Sequence, residues 1–171
     1  MYQHKVVRNF LEKEKCYLWA QHMIERKTKH PLWDNYYVSD TDPKLFDLQD
    51  KISELLGLAE NWFLDTYKVN NLVFDRSHTN IMEAGSRLPV HKDLLNKENP
   101  AMGPGNAYVC LIFLTDDYEG GNIVFPEQDV SLRLNAGDAI FFPGCLMSHG
   151  STEVTGGTRV TIANHFFGDL P

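Results

Sequence analysis

Thiols are scarce in this chain: three cysteines, Cys16, Cys110 and Cys145, lie far apart with no C-x-x-C spacing. That excludes a disulfide framework and a thiolate zinc site, and leaves reduced, buried thiols as the expectation. Long apolar runs are missing too. Nothing approaches the roughly 20 apolar residues of a membrane span, and the start, Met-Tyr-Gln-His-Lys-Val-Val-Arg, lacks the apolar core of a signal peptide, so a cytoplasmic protein with no membrane partner is expected. Clustered positive charge is also absent. Residues 1–90 hold 12 Lys/Arg against 13 Asp/Glu, whereas 91–171 hold 4 against 10. An acidic half of this kind repels polyphosphate, so nucleic acid is not an expected partner, and it hints at a cationic group on the substrate.

What remains is ordinary globular material. A chain of 171 residues, 43% hydrophobic and 12% aromatic, suffices for one domain over 1–171 without structural metals. Apolar residues at loosely helical steps predict a first helix over about 11–28. A second is predicted from Asp42, which can cap, and Pro43, which suits the first helical position, through Leu45, Leu48, Ile52, Leu55, Leu56 and Ala59. These helices form a lead-in over 1–66. From about 72 to 167 the pattern changes to short β-prone segments cut by Gly, Pro, Asn and Asp: 73–74, 79–83, 87–92, 107–115, 122–125, 130–134, 138–142 and 159–167. Helices followed by strands predict an α+β, mainly β fold with the helices packed outside one sheet. The stretch 94–106, with Pro100, Gly103, Pro104 and Gly105, is the natural candidate for a lid.

His91-Lys92-Asp93 is an H-x-D triplet. On an extended chain residues two apart share a face, so imidazole and carboxylate can converge on one ion. By itself the triplet says little, because H-x-D arises by chance. It gains meaning from His149 and, ten residues on, Arg159 at the start of a β-prone segment. Two imidazoles and a carboxylate on a sheet make the facial triad of non-haem iron(II) oxygenases.

At this point the sequence resembles a known family, the 2-oxoglutarate/iron(II) oxygenases of the prolyl 4-hydroxylase type. The shared pattern runs through Gly85 to His91-Lys92-Asp93, Gly120-Gly121 to Phe125-Pro126, Gly137-Asp138-Ala139 to Phe142, then His149 and Gly157-Thr158-Arg159, with motif-level likeness over about 79–167. The resemblance implies a double-stranded β-helix, or jelly roll, in which His91, Asp93 and His149 hold Fe(II) and Arg159 grips the distal carboxylate of 2-oxoglutarate. It also implies that oxidative decarboxylation of this co-substrate drives hydroxylation of a C–H bond by dioxygen, with ascorbate as an accessory. The implied substrate is a prolyl residue in a peptide or protein; a free amino acid or small metabolite is the alternative, and a non-catalytic metal-binding module a further one. Asp93 argues against a halogenase on the same scaffold, and the lack of an H-E-x-x-H motif against zinc hydrolysis.

Two departures stand out. The tyrosines that relatives carry near the iron-binding strand are replaced by Ile81 or Met82 and by Phe113, so Arg159 needs another helper, for which Thr161 on the same strand face is the expectation. His165 stands where relatives commonly have Trp, at the same parity as Arg159, Thr161 and Ala163. Either it faces the metal pocket or it is a packed histidine near the sheet end. His4, His22, His30 and His78 are expected to be surface or structural.

Overall fold

The computed structural model describes residues 2–94 and 106–171; residues 95–105, most of the stretch expected to form a lid, lie outside the described residues. Twelve strands are present among them: β1 (Lys5–Val7), β2 (Thr28–Lys29), β3 (Tyr36–Val38), β4 (Val73–Glu83), β5 (Asn106–Phe113), β6 (Glu119–Gly120), β7 (Ile123–Phe125), β8 (Val130–Leu132), β9 (Ala139–Phe142), β10 (Gly150–Ser151), β11 (Val154–Gly156) and β12 (Thr158–Gly168). A seven-stranded antiparallel sheet has the order β1-β9-β5-β12-β4-β3-β2, and faces the smaller sheets β10-β7-β8 and β11-β6. This is the double-stranded β-helix. No helix among the described residues is long and apolar enough to cross a membrane.

The helices α1 (Lys13–Glu25) and α2 (Gln49–Tyr67) cover the outer face of the large sheet. Their buried residues Trp19, Met23, Leu55, Ala59 and Phe63 share one core with Tyr108, Cys110 and Ile112 of β5, Phe141 of β9, and Val160, Ile162 and Phe166 of β12. Phe63 sits edge-on to Tyr108 and Phe166, with ring centroids 5.4 and 6.0 Å away. Burying a side chain of this size contributes roughly 1.5–3 kcal/mol. The opposite parity of the same strands, Ala107, Val109, Phe113, Ile140 and Phe142, packs inward with Ile123, Phe125 and Met147. All three cysteines are free and buried.

Several expected elements differ in detail. The second helix is interrupted: Asp42 accepts a hydrogen bond from the Lys44 N–H, as a cap should, but the turn it starts is a 3-10 helix over Pro43–Phe46. Asp47 then turns left-handed (φ 54°), and the α-helix begins at Gln49. The segments 73–74 and 79–83 are one continuous strand, β4. The segment 87–92 is not a regular strand. Pro89 has no N–H to give to a ladder, and only His91 pairs, with His149. The short strands β1, β2 and β3 are additions that the alternation in the sequence was too brief to signal. β1 is tied down by Asp138, a buried carboxylate that accepts from Arg8 Nη1 at 2.7 Å and from the Asn9 N–H at 2.9 Å.

Candidate functional site

His91 and His149 lie opposite one another on adjacent extended segments, each N–H donating to the other's carbonyl at 2.9 Å. Their rings are 4.4 Å apart. Two residues beyond His91, the Asp93 N–H donates to the Gly144 carbonyl at 2.9 Å, and the Ala107 N–H donates to the Asp93 carbonyl at 3.0 Å. The carboxylate is thereby carried between the two imidazoles. Asp93 Oδ1 is 3.4 Å from His91 Nε2, and Oδ2 is 3.3 Å from His149 Nε2. Gly144 makes room for it, because a Cβ there would run into the Asp93 carboxylate.

The other nitrogen of each ring is also fixed. His91 Nδ1 donates to the Pro89 carbonyl at 2.8 Å and His149 Nδ1 to the Met147 carbonyl at 2.9 Å. A carbonyl can only accept, so both hydrogens reside on Nδ1 and both Nε2 lone pairs turn toward the carboxylate. Three electron-pair donors thus converge, their ligand atoms within 4.8 Å of one another, an arrangement that repels itself unless a cation stands among them. Without a metal, protons take that role. Burial pushes the Asp93 carboxyl up, but hydrogen bonds from His149 and His91 outweigh it and hold the group well below the usual carboxylate range. Burial lowers His91, and the Asp93 hydrogen bond and charge more than reverse this. The donor set of two imidazoles and one carboxylate fits Fe(II).

The triad opens onto a cavity of about 140 Å³ whose wall is the inner face of β4 and β12. Four cross-strand pairs run along it in register: Arg159 with Met82, Thr161 with Asn80, Ala163 with His78, and His165 with Arg76. Arg159 occupies one end. It is 4% exposed, its guanidinium lies 4.9 Å from the Phe113 ring centroid, and Nη1 is 3.2 Å from Met82 Sδ. Its Nε has no partner, and no carboxylate among the described residues lies within ion-pair distance. Burial lowers the Arg159 pKa, with Tyr118 offsetting it, yet a guanidinium stays charged. A buried, unpaired cation demands an anion, and a dicarboxylate such as 2-oxoglutarate supplies one in the bidentate geometry that guanidinium favours.

The residues singled out from the sequence therefore converge on one cavity: His91, Asp93, His149, Arg159 and Thr161 all line it. His165 faces it as well, stacked on His78 at 5.1 Å. His30 and His78, expected to be surface or structural, line it too. A residue that sequence reading passed over is Tyr118. It is buried, its hydroxyl has no hydrogen-bond partner, and it packs with the Arg159 side chain around Gly121, where a Cβ would come within 3.1 Å of Arg159 Cδ. Its place directly before Glu119-Gly120-Gly121 is the signal that could have found it. The acidity of the C-terminal half does not extend to the described lining, in which Asp93 is the one carboxylate, so the lining gives no support to the cationic group expected on the substrate.

Known proteins share this architecture. The viral collagen prolyl hydroxylase of Paramecium Bursaria Chlorella virus-1, in its 2-oxoglutarate complex, superposes with a TM-score of 0.72 at 15% identity, over 95% of this chain and 94% of that one. A Pseudomonas putida prolyl-4-hydroxylase gives 0.71 at 12% identity, over 98% and 93%. A PKHD-type hydroxylase of Colwellia psychrerythraea is 43% identical over 54 residues, 29% of this chain, and the match spans about a quarter (24%) of that relative's length. The sequence profile of one family, the 2OG-Fe(II) oxygenase superfamily, matches residues 77–167, a span that contains the triad, the buried arginine and the strands that hold them, and the chain belongs to that superfamily.

Proposed function

We propose that the chain, acting as one catalytic unit, is a 2-oxoglutarate-dependent dioxygenase in which His91, Asp93 and His149 bind Fe(II) and Arg159 binds the co-substrate, and that it hydroxylates a C–H bond of a prolyl compound. The observation that carries this reading is the pairing, in one cavity, of three converging ligand atoms with a buried cation that has no anionic partner. When bound, iron with 2-oxoglutarate and dioxygen supplies an oxidant strong enough for an unactivated C–H bond. The chain's own residues orient and shield. Pro89 and Met147 hold the two imidazoles with Nε2 inward. Phe113 and Met82 enclose the guanidinium so that a carboxylate exchanging water for Arg159 does so in a dry environment, where the pair is strong. Thr161 donates its hydroxyl to that carboxylate, a role supported by its position two residues along the same face in the lining of the same cavity. Ascorbate enters as an accessory reductant. The prolyl reading leans on the likeness to prolyl hydroxylases. The second reading, a free amino acid or small metabolite, is favoured by the polar lining of the cavity away from Arg159.

Anaerobic titration of the metal-free protein with Fe(II) and then 2-oxoglutarate tests the proposal. A weak visible charge-transfer band should appear, and succinate should follow when air is admitted. In Arg159→Ala the concentration of 2-oxoglutarate needed for the band should rise about 10- to 100-fold, the loss expected for a hydrogen-bonded charge pair. Iron binding with neither band nor succinate would mark a non-catalytic module instead.

A further inference from the structure

The cavity has a second end that the co-substrate does not explain. Along β12 from Arg159 the inward residues are Thr161, Ala163 and His165, and the last is opposite Arg76 of β4. Six residues of strand separate the two ends by roughly 20 Å. His91, Asp93 and His149 line the same cavity as His165 and His78, so what binds at this outer end shares its space with the triad.

This end carries hydrogen-bonding groups that nothing in the fold uses. His165 Nδ1 and Asn35 Oδ1 are buried without partners, and Asn35 is 2% exposed. Asn35 Nδ2 reaches Asn80 Oδ1 only at 3.4 Å. Such groups are costly to leave unsatisfied, and where they line a cavity they point to a polar ligand. The charges point the same way. Of the charged residues among the described lining of the cavity, Asp93 belongs to the triad and Arg159 to the co-substrate, which leaves Arg76. Its nearest ion pair is with its chain neighbour Asp75 at 3.5 Å, and its side chain is half-exposed at 46%. Burial lowers the pKa of both imidazoles, His78 to about 3, so they act as neutral hydrogen-bonding groups and Arg76 is the cation.

Resting on the oxygenase reading, we infer that this outer end recognises a free carboxylate on the substrate, with Arg76 as its cation and His165, His78 and Asn35 as hydrogen-bonding neighbours. The substrate is then a small organic acid, such as a free amino acid, that places a C–H bond beside the triad. An internal prolyl residue of a peptide has amides on both sides and no carboxylate to offer.

The test is a binding panel on the protein loaded anaerobically with Fe(II) and 2-oxoglutarate. The twenty free amino acids and simple 2-hydroxy acids are compared, each with its neutral amide, and with acetyl-Gly-Pro-Gly-amide as the internal prolyl probe. Perturbation of the chelate band gives one readout, and shifts of the His165 and His78 imidazole proton resonances in the metal-free protein give another that needs no turnover. At least one acid should bind about tenfold or more tightly than its amide, the margin of one charge-assisted contact, and Arg76→Gln should erase that margin, with His165→Gln weakening the acid as a second variant. Acids and amides that bind alike, preference for the peptide, binding of none of the probes, or a margin that survives Arg76→Gln would overturn the inference. Failure of the wild-type chelate band itself would count against the oxygenase reading and is seen before any panel compound is added.

Discussion

The two faces of β12 obey opposite rules. On the side toward the helices, Val160, Ile162 and Phe166 are buried in the apolar core, and the polar Asn164 among them is satisfied at both ends: Nδ2 donates to the Cys110 carbonyl at 3.0 Å and Oδ1 accepts from Ser77 Oγ at 2.6 Å. On the cavity side, Arg159 is buried and His165 half-buried, and Arg159 Nε and His165 Nδ1 are buried atoms left unpartnered. The Thr79 hydroxyl of β4 and the Trp19 indole nitrogen of α1 are the exceptions on the helical side. One strand therefore stabilises the fold with one set of side chains and stores unsatisfied polarity with the alternate set. Sites that bind charged ligands are arranged this way because the ligand, not the fold, completes the hydrogen bonds.

If the division is sound, substitutions on the two faces separate activity from stability. The largest effect belongs to the triad. Asp93→Ala removes the carboxylate from between two imidazoles and should abolish iron binding and succinate formation, while the melting temperature of the metal-free protein falls by the loss of the imidazole–carboxylate hydrogen bonds that hold Asp93 ionised in the folded chain. Full iron affinity in this variant, by equilibrium dialysis, would refute the ligand assignment. Next comes the helical face. Phe166→Ala empties a site packed against Phe63 and Phe74 and should cost about 3–5 kcal/mol in chemical denaturation. The folded fraction should retain the 2-oxoglutarate requirement of the parent. A changed requirement would mean that the two faces are coupled through the strand.

Much of this was legible in the sequence, for a physical reason. His91-Lys92-Asp93, His149 and Arg159 are type-restricted positions: each needs its own chemistry, so the residues themselves carry the signal, and the structure brings all of them to one cavity. The helical and β regions were legible through periodicity. What escaped was set by tertiary contacts. The break at Asp47 depends on a left-handed residue, which side-chain pattern does not encode. Segment 87–92 looks like a strand, yet Pro89 and the Gly150 contact reduce it to a single bridge. Tyr118 reads as one more aromatic until Gly121 brings it against Arg159. His78 and Asn35 acquire meaning only when β4 and the segment before β3 close around the same cavity.

The smallest predicted effect probes the cavity face through His78. Burial is the main cause of its depressed pKa of about 3, with the charges of His165, Arg76 and His30 adding to it and Asp93 opposing. Above the ordinary histidine value near 6.5 both folded and unfolded chains hold the imidazole neutral, and it has no bearing on stability. As pH falls below that value the unfolded chain takes up a proton that the folded chain refuses, so stability is lost progressively until the folded pKa is reached. Between pH 6.5 and 5 the metal-free protein should lose about 1–2 kcal/mol from this group, and His78→Gln should remove that part of the slope whatever it does to stability at pH 7.5. Urea denaturation of both proteins across this window measures the difference in slope. Parallel profiles would mean that water reaches His78 and accepts its proton in the folded state, and the outer end of the cavity would then be wetter than its unpartnered groups imply.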